Sequence, residues 1–137
     1  MSFFIAEVSS NHSKSIERSL QFIDEAAFIG CDSVKFQLFK IDKLFAPEIL
    51  SKSQAHRDRK HWELPLDFLP ILADRCREKG IQFSCTPFYL DAVQELEPYV
   101  DFYKVASYEL LWDDLLIACA LTGKPVIIST GMATMEE

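Results

Sequence analysis

Two lysines, Lys35 and Lys104, occupy matching places in two short apolar stretches, Val34-Lys35-Phe36-Gln37-Leu38 and Phe102-Tyr103-Lys104-Val105. On a period of two, Lys35 shares a face with Gln37, and Lys104 with Phe102 and Ala106. A lysine flanked by apolar residues in a strand is costly to bury without an anionic partner. Either a carboxylate of the protein neutralises it, or the site receives an anion from outside. Glu7 and Glu109 are the internal candidates. The external reading draws on hydroxyls at Thr86, Ser107 and Ser129, which with nearby backbone N–H groups would complete a phosphate and carboxylate cradle. Two ammonium groups facing one cavity repel each other unless an anion lies between them. Buried ion pairs add little net stability, which argues against collecting so many at one end for structure alone. A further reading is Schiff-base catalysis, in which a second cation lowers the pKa of a desolvated barrel lysine.

The elements that must position these groups alternate along the chain. Strand patterns start near residues 3, 33, 81, 101 and 125. Ser13 or Ser15 can cap a helix carrying Ile16, Leu20, Ile23 and Ala27, which Gly30 ends. A second helix is expected from Asp67 to Lys79 with Gly80 as its stop, and a short one with Leu90, Val93 and Leu96 along one side. A fourth covers about 111–122 before Gly123, and Ala133 to Glu137 reads as a helix just opening. Residues 39–64 are mixed and highly charged, and are expected to be a lid or binding loop, or else disordered. Repeated βα units imply a parallel sheet. The polar residues Glu7, Lys35, Gln37, Thr86, Lys104, Ser107 and Ser129 fall at successive strand C-termini, where a (β/α)8 TIM-type barrel carries its active site. The chain supplies about five of the eight strands, with four helices. No glycine-rich phosphate loop of the Rossmann or P-loop type follows any strand.

At 137 residues and 49% hydrophobic content, the chain is about one domain long and can build a core. A net charge of −7 argues against nucleic acid or an anionic membrane as partner. No apolar run is long enough to span a bilayer, and the start lacks the basic region of a signal peptide, so a cytoplasmic location is expected. Cys31, Cys76, Cys85 and Cys119 lack paired spacing and read as reduced core residues.

Five motifs occur in order: Ile5-Ala6-Glu7-Val8-x-x-Asn11-His12, Val34-Lys35-Phe36-Gln37, Ser84-Cys85-Thr86-Pro87-Phe88, Tyr103-Lys104-Val105-Ala106-Ser107-x-Glu109, and the run Gly123 to Met132. Together they resemble the N-acetylneuraminate (sialic acid) synthase family, with its legionaminic, pseudaminic and spore-coat polysaccharide relatives. The likeness covers residues 1–137 as the amino-terminal part of a single barrel; later strands and a carboxy-terminal antifreeze-like domain are absent. It implies a synthase that condenses phosphoenolpyruvate with an N-acetylated hexosamine to a nine-carbon 2-keto sugar acid, releasing phosphate. By that likeness Lys35, Thr86, Lys104, Ser107 and Ser129 hold phosphoenolpyruvate. Glu7 and Gln37 lie near the acceptor, with Glu7 orienting or protonating and Glu109 a candidate for activating water. A divalent metal, Mn2+ or Mg2+, is implied with histidine ligands from strands outside this chain, and a homodimer through the antifreeze-like domain. His12 is expected to stabilise the first turn, and His56 and His61 to be solvated rim residues. The family's first motif usually reads Ile-Gly-x-Asn-His-x-Gly. Here Val8-Ser9-Ser10-Asn11-His12-Ser13-Lys14 lacks both glycines, which bears on the acceptor sugar rather than on the phosphoenolpyruvate half.

Overall fold

The computed structural model describes residues 2–136. Five parallel strands form one sheet in sequence order: β1 Ile5–Ser9, β2 Ser33–Leu38, β3 Gln82–Pro87, β4 Phe102–Val105 and β5 Val126–Ile128. Four helices make the crossovers and cover one face: α1 Ile16–Phe28, α5 Phe68–Lys79, α6 Leu90–Leu96 and α7 Asp113–Leu121. The architecture, five parallel strands joined by four crossover helices, is part of a (β/α)8 barrel.

Period-two alternation sorts each strand. Val34, Phe36, Leu38, Phe83, Cys85, Tyr103 and Val105 point at the helices and are buried. They pack on Ile23, Leu69, Leu72, Cys76, Leu96 and Leu115. At about 25 cal/mol per Å² of buried apolar surface, this layer is the main source of stability. The opposite face carries Glu7, Lys35, Ser84, Thr86 and Lys104. Register aligns them: Glu7 pairs Lys35, Lys35 pairs Ser84, and Gln37 pairs Thr86.

Local signals account for the helix ends. Ser15 caps α1 by accepting the Arg18 N–H at 3.1 Å. Gly80 stops α5 at φ 71°, in the left-handed region that glycine enters without penalty. Asp32 and Asp101 work as a matched pair of anchors. Each precedes a strand and accepts a backbone N–H from beside it, Asp32 that of Phe4 just ahead of β1 and Asp101 that of Phe83 in β3, both at 2.7 Å.

Three expectations need correction. Residues 39–64 are neither loop nor disorder: they fold as α2 Ile41–Leu44, α3 Pro47–Lys52, α4 Gln54–Asp58 and a 3₁₀ turn, Arg59–Trp62. Pro47 opens α3 and the Ser53 hydroxyl caps α4, so each helix has a start signal although none has a long apolar stripe. The Glu63 carboxylate accepts the Ile41 N–H at 2.8 Å and buried Leu64 joins the core, which closes the excursion at its base. Second, Leu90 is 41% exposed; Ala92, Val93 and Leu96 form the buried side of α6. Third, residues 133–136 form no helix, and Glu137 lies outside the described residues. Ala133 donates back to the Thr130 carbonyl in a turn instead. So few residues close too few bonds to nucleate a helix.

Candidate active site

Strand register builds the site from the bottom up. Lys35 is 5% exposed, and its Nζ lies 2.6 Å from Glu7 Oε2 and donates to Thr86 Oγ1 at 3.1 Å. The internal carboxylate expected for Lys35 is therefore Glu7. The Glu7 side chain is half exposed, leaving its other oxygen free to meet a ligand. One rung higher, Gln37 Oε1 accepts from Ser10 Oγ at 3.5 Å.

Above this cluster opens a cleft of about 980 Å3. Gln37, Lys104, Ser107, Glu109 and Ser129 line it. Lys104 differs from Lys35 in one decisive respect: among the described residues no carboxylate lies within ion-pair distance of its ammonium. Burial lowers its pKa below the ordinary lysine value and the Lys35 charge lowers it further, while Glu7 and Glu109 pull the other way. Lys104 thus feels both members of the Glu7–Lys35 pair, and the two clusters form one electrostatic site. Burial also raises the Glu109 carboxyl above the usual carboxylate range, against the Lys104 charge and a backbone hydrogen bond. Glu109 Oε2 is buried without a hydrogen-bond partner. An unpaired ammonium beside a carboxyl that burial makes a weaker acid is suited to receive an anion and to move a proton.

Of the eight residues singled out from the sequence, Gln37, Lys104, Ser107, Glu109 and Ser129 line the cleft, whereas Glu7, Lys35 and Thr86 form the bonded cluster beside it and do not line it. Others were missed. Ser9, Ser10, Asn11 and Ser13 of the first turn line the cleft, as do Arg18, Phe45, Arg59 and Trp62. The Arg59 guanidinium sits over the rings of Phe45 and Trp62, at 5.4 and 5.7 Å. The charged run around residue 59 hinted at a rim, but only the folded helices bring its aromatic residues to the cleft. His12 is fully buried and accepts the Lys14 N–H through Nδ1 at 3.0 Å, in keeping with a turn-stabilising role. Its Nε2 closes no hydrogen bond of normal geometry, although the Trp62 backbone favours the protonated ring; burial prevails and lowers its pKa. His56 bonds the Ser53 hydroxyl at 2.7 Å and meets the Phe45 ring edge-on, and His61 is exposed.

The model of the NeuB family matches residues 22–137. The chain belongs to the NeuB family. NeuB relatives include the spore coat polysaccharide biosynthesis protein SpsE of Bacillus subtilis, 33% identical over 98% of this chain and 38% of the relative. Pseudaminic acid synthase of Campylobacter jejuni is 32% identical over 98% of this chain and 43% of its own length. The crystal structure of N-acetylneuraminic acid (sialic acid) synthetase from Leptospira borgpetersenii, in complex with citrate, superposes with a TM-score of 0.89 at 31% identity, covering 98% of this chain and 46% of that one. The chain thus spans roughly two fifths of the length of these NeuB relatives. The turn that departs from the NeuB-type glycine motif has a backbone to match: Ser9 and Lys14, which stand at its glycine positions, are both left-handed, with φ 55° and 54°.

Proposed function

We propose that the full-length protein condenses phosphoenolpyruvate with an N-acetylated hexosamine to a nine-carbon 2-keto sugar acid, releasing phosphate. The observation that carries this reading is Lys104, an ammonium lining the cleft with no carboxylate in ion-pair reach, beside hydroxyls of Ser107 and Ser129. An anion bound there restores the charged form that burial disfavours. Lys35 and Thr86, already bonded to each other, supply the second group of donors for a ligand with two anionic ends. Glu7 and Gln37 face the acceptor, where the free oxygen of Glu7 orients a hydroxyl. Glu109, with its raised pKa, exchanges a proton with the attacking water.

The divalent cation and homodimer belong to the same proposal. When bound, Mn2+ or Mg2+ would polarise the sugar aldehyde. Among the described residues no group of three His, Cys, Asp or Glu side chains can hold a metal, and none of the roles above runs through one. No helix among them is long and apolar enough to cross a membrane.

The test is phosphate release from full-length protein given phosphoenolpyruvate, an N-acetylhexosamine and Mn2+. No release with any acceptor of that class sinks the proposal. The lowered pKa of Lys104 also favours a second reading, a Schiff-base aldolase. Borohydride trapping separates the two, because covalent capture of substrate on Lys104 or Lys35 belongs to the aldolase alone.

A further inference from the structure

Ser9 ends β1 in the left-handed region, at φ 55°. A Cβ makes that conformation costly, and glycine would hold the same turn without the penalty. Turn geometry therefore does not explain a serine here. The pairing of β1 with β2 slips between Glu7 and Ser9, and such a bulge re-aims the side chain that follows it. The outcome is that Ser9 lines the cleft. Among the described residues its hydroxyl makes no hydrogen bond to protein. Strained, non-glycine residues cluster at sites where the strain positions a working group.

The surroundings say what such a group would meet. Ser10, Asn11, Ser13 and Gln37 line the cleft with Ser9, and all are neutral hydrogen-bonding residues. Arg18, the cation that α1 contributes to the cleft, is drawn to the Asn11 carbonyl through Nε at 2.6 Å and lies over the Phe22 ring. The ammonium of Lys104 and the hydroxyls of Ser107 and Ser129 come from strands four and five and the turns after them, toward the other edge of the sheet. We infer that Ser9 is a specificity-determining residue for the acceptor, hydrogen-bonding a neutral ring hydroxyl or acetamido group of the sugar. The inference rests on the condensation reading above and deepens its acceptor half.

Two substitutions in the full-length protein separate the hydroxyl from the strain. Ser9→Ala deletes the oxygen and keeps the left-handed backbone penalty; Ser9→Gly removes both. Both variants raise the KM for N-acetylmannosamine or N-acetylglucosamine by about fivefold, the scale of one neutral hydrogen bond. The KM for phosphoenolpyruvate stays unchanged, and Ser9→Gly melts at or above the wild-type temperature. A sugar KM unchanged in both variants, or both substrate KM values rising together, overturns the inference while leaving the condensation intact. If wild-type protein releases no phosphate with any acceptor, the condensation reading fails by itself. Calorimetric titration of the same two sugars then decides: weaker binding by Ser9→Ala upholds the role, and equal binding, or none to wild type, overturns it.

Discussion

The Glu7 carboxylate and the Lys35 ammonium meet at 2.6 Å, and the two residues are also register partners on adjacent strands. Their exposures are unequal. Lys35 is almost wholly buried whereas the Glu7 side chain is half exposed. The pair therefore has a buried inner member and an outer member open to solvent.

Removing the outer partner tests that arrangement. Glu7→Gln leaves Lys35 buried with Thr86 Oγ1 as its hydrogen-bond partner. Loss of one partner of a fully buried pair costs about 3–5 kcal/mol. Solvent at Glu7 screens the interaction, so the expected loss is about 1–2 kcal/mol. Urea denaturation measures it; wild-type stability in Glu7→Gln would show the pair to be idle in the fold.

Lys104 carries the opposite prediction for stability. Burial lowers its pKa in the folded state, so the folded protein releases this proton at lower pH than the unfolded chain. Below the folded-state pKa both states are charged and the burial penalty is fully present. As pH rises through that value toward the ordinary 10.5, the unfolded state holds more protons and this residue's penalty is progressively relieved. Lys104→Met should therefore melt higher than wild type at pH 7, with the gap narrowing in the alkaline range. The same variant should lose affinity for phosphoenolpyruvate by about 30-fold or more, as expected when a charged partner is deleted from a desolvated contact. A melting temperature that falls while affinity holds would reverse the assignment.

Lys14 gives a prediction in the first turn that is independent of the cleft lining. It is exposed and left-handed, at φ 54°, and its N–H bonds His12 Nδ1. The left-handed conformation costs a residue with a Cβ roughly 1–2 kcal/mol, while glycine loses about 0.5–1 kcal/mol more chain entropy on folding. Lys14→Gly is expected to stabilise the protein by about 0.5–1 kcal/mol net, because the N–H that bonds His12 is kept. Thermal unfolding of the two proteins side by side reads the sign directly.

How much of this could be read from the chain depends on whether the signal was local. The sheet was legible because Val34-Lys35-Phe36 and Tyr103-Lys104-Val105 alternate cleanly, and Gly30, Gly80 and Gly123 mark helix ends, all three at positive φ. The site was legible for the same reason: parallel strands in order bring every C-terminal end to one rim. The excursion over residues 39–64 was not, because its helices are four to six residues long and are held by the distant contacts of Glu63 and Leu64. Nor did residue type reveal that Lys35 would be paired and Lys104 not. That difference follows from register, which sets Glu7 beside Lys35 and Ile127 beside Lys104.

Glu109 supplies the sharpest pH test. Its folded-state pKa is raised above the ordinary 4.5, chiefly by burial, so the folded protein keeps this proton to higher pH than the unfolded chain does. Below 4.5 both states are protonated and the residue is neutral toward stability. As pH rises through the folded-state pKa, an ionised carboxylate with a buried, unpartnered Oε2 becomes a growing penalty. Glu109→Gln should therefore unfold at a higher temperature than wild type at pH 7, with the advantage fading to nothing by pH 4. Its turnover should fall by about 100-fold or more if the carboxyl moves a proton in the reaction. In that case the acid limb of kcat against pH should disappear with it. A glutamine variant with wild-type turnover and an unchanged acid limb would leave Glu109 as a neighbour of Lys104 and nothing more.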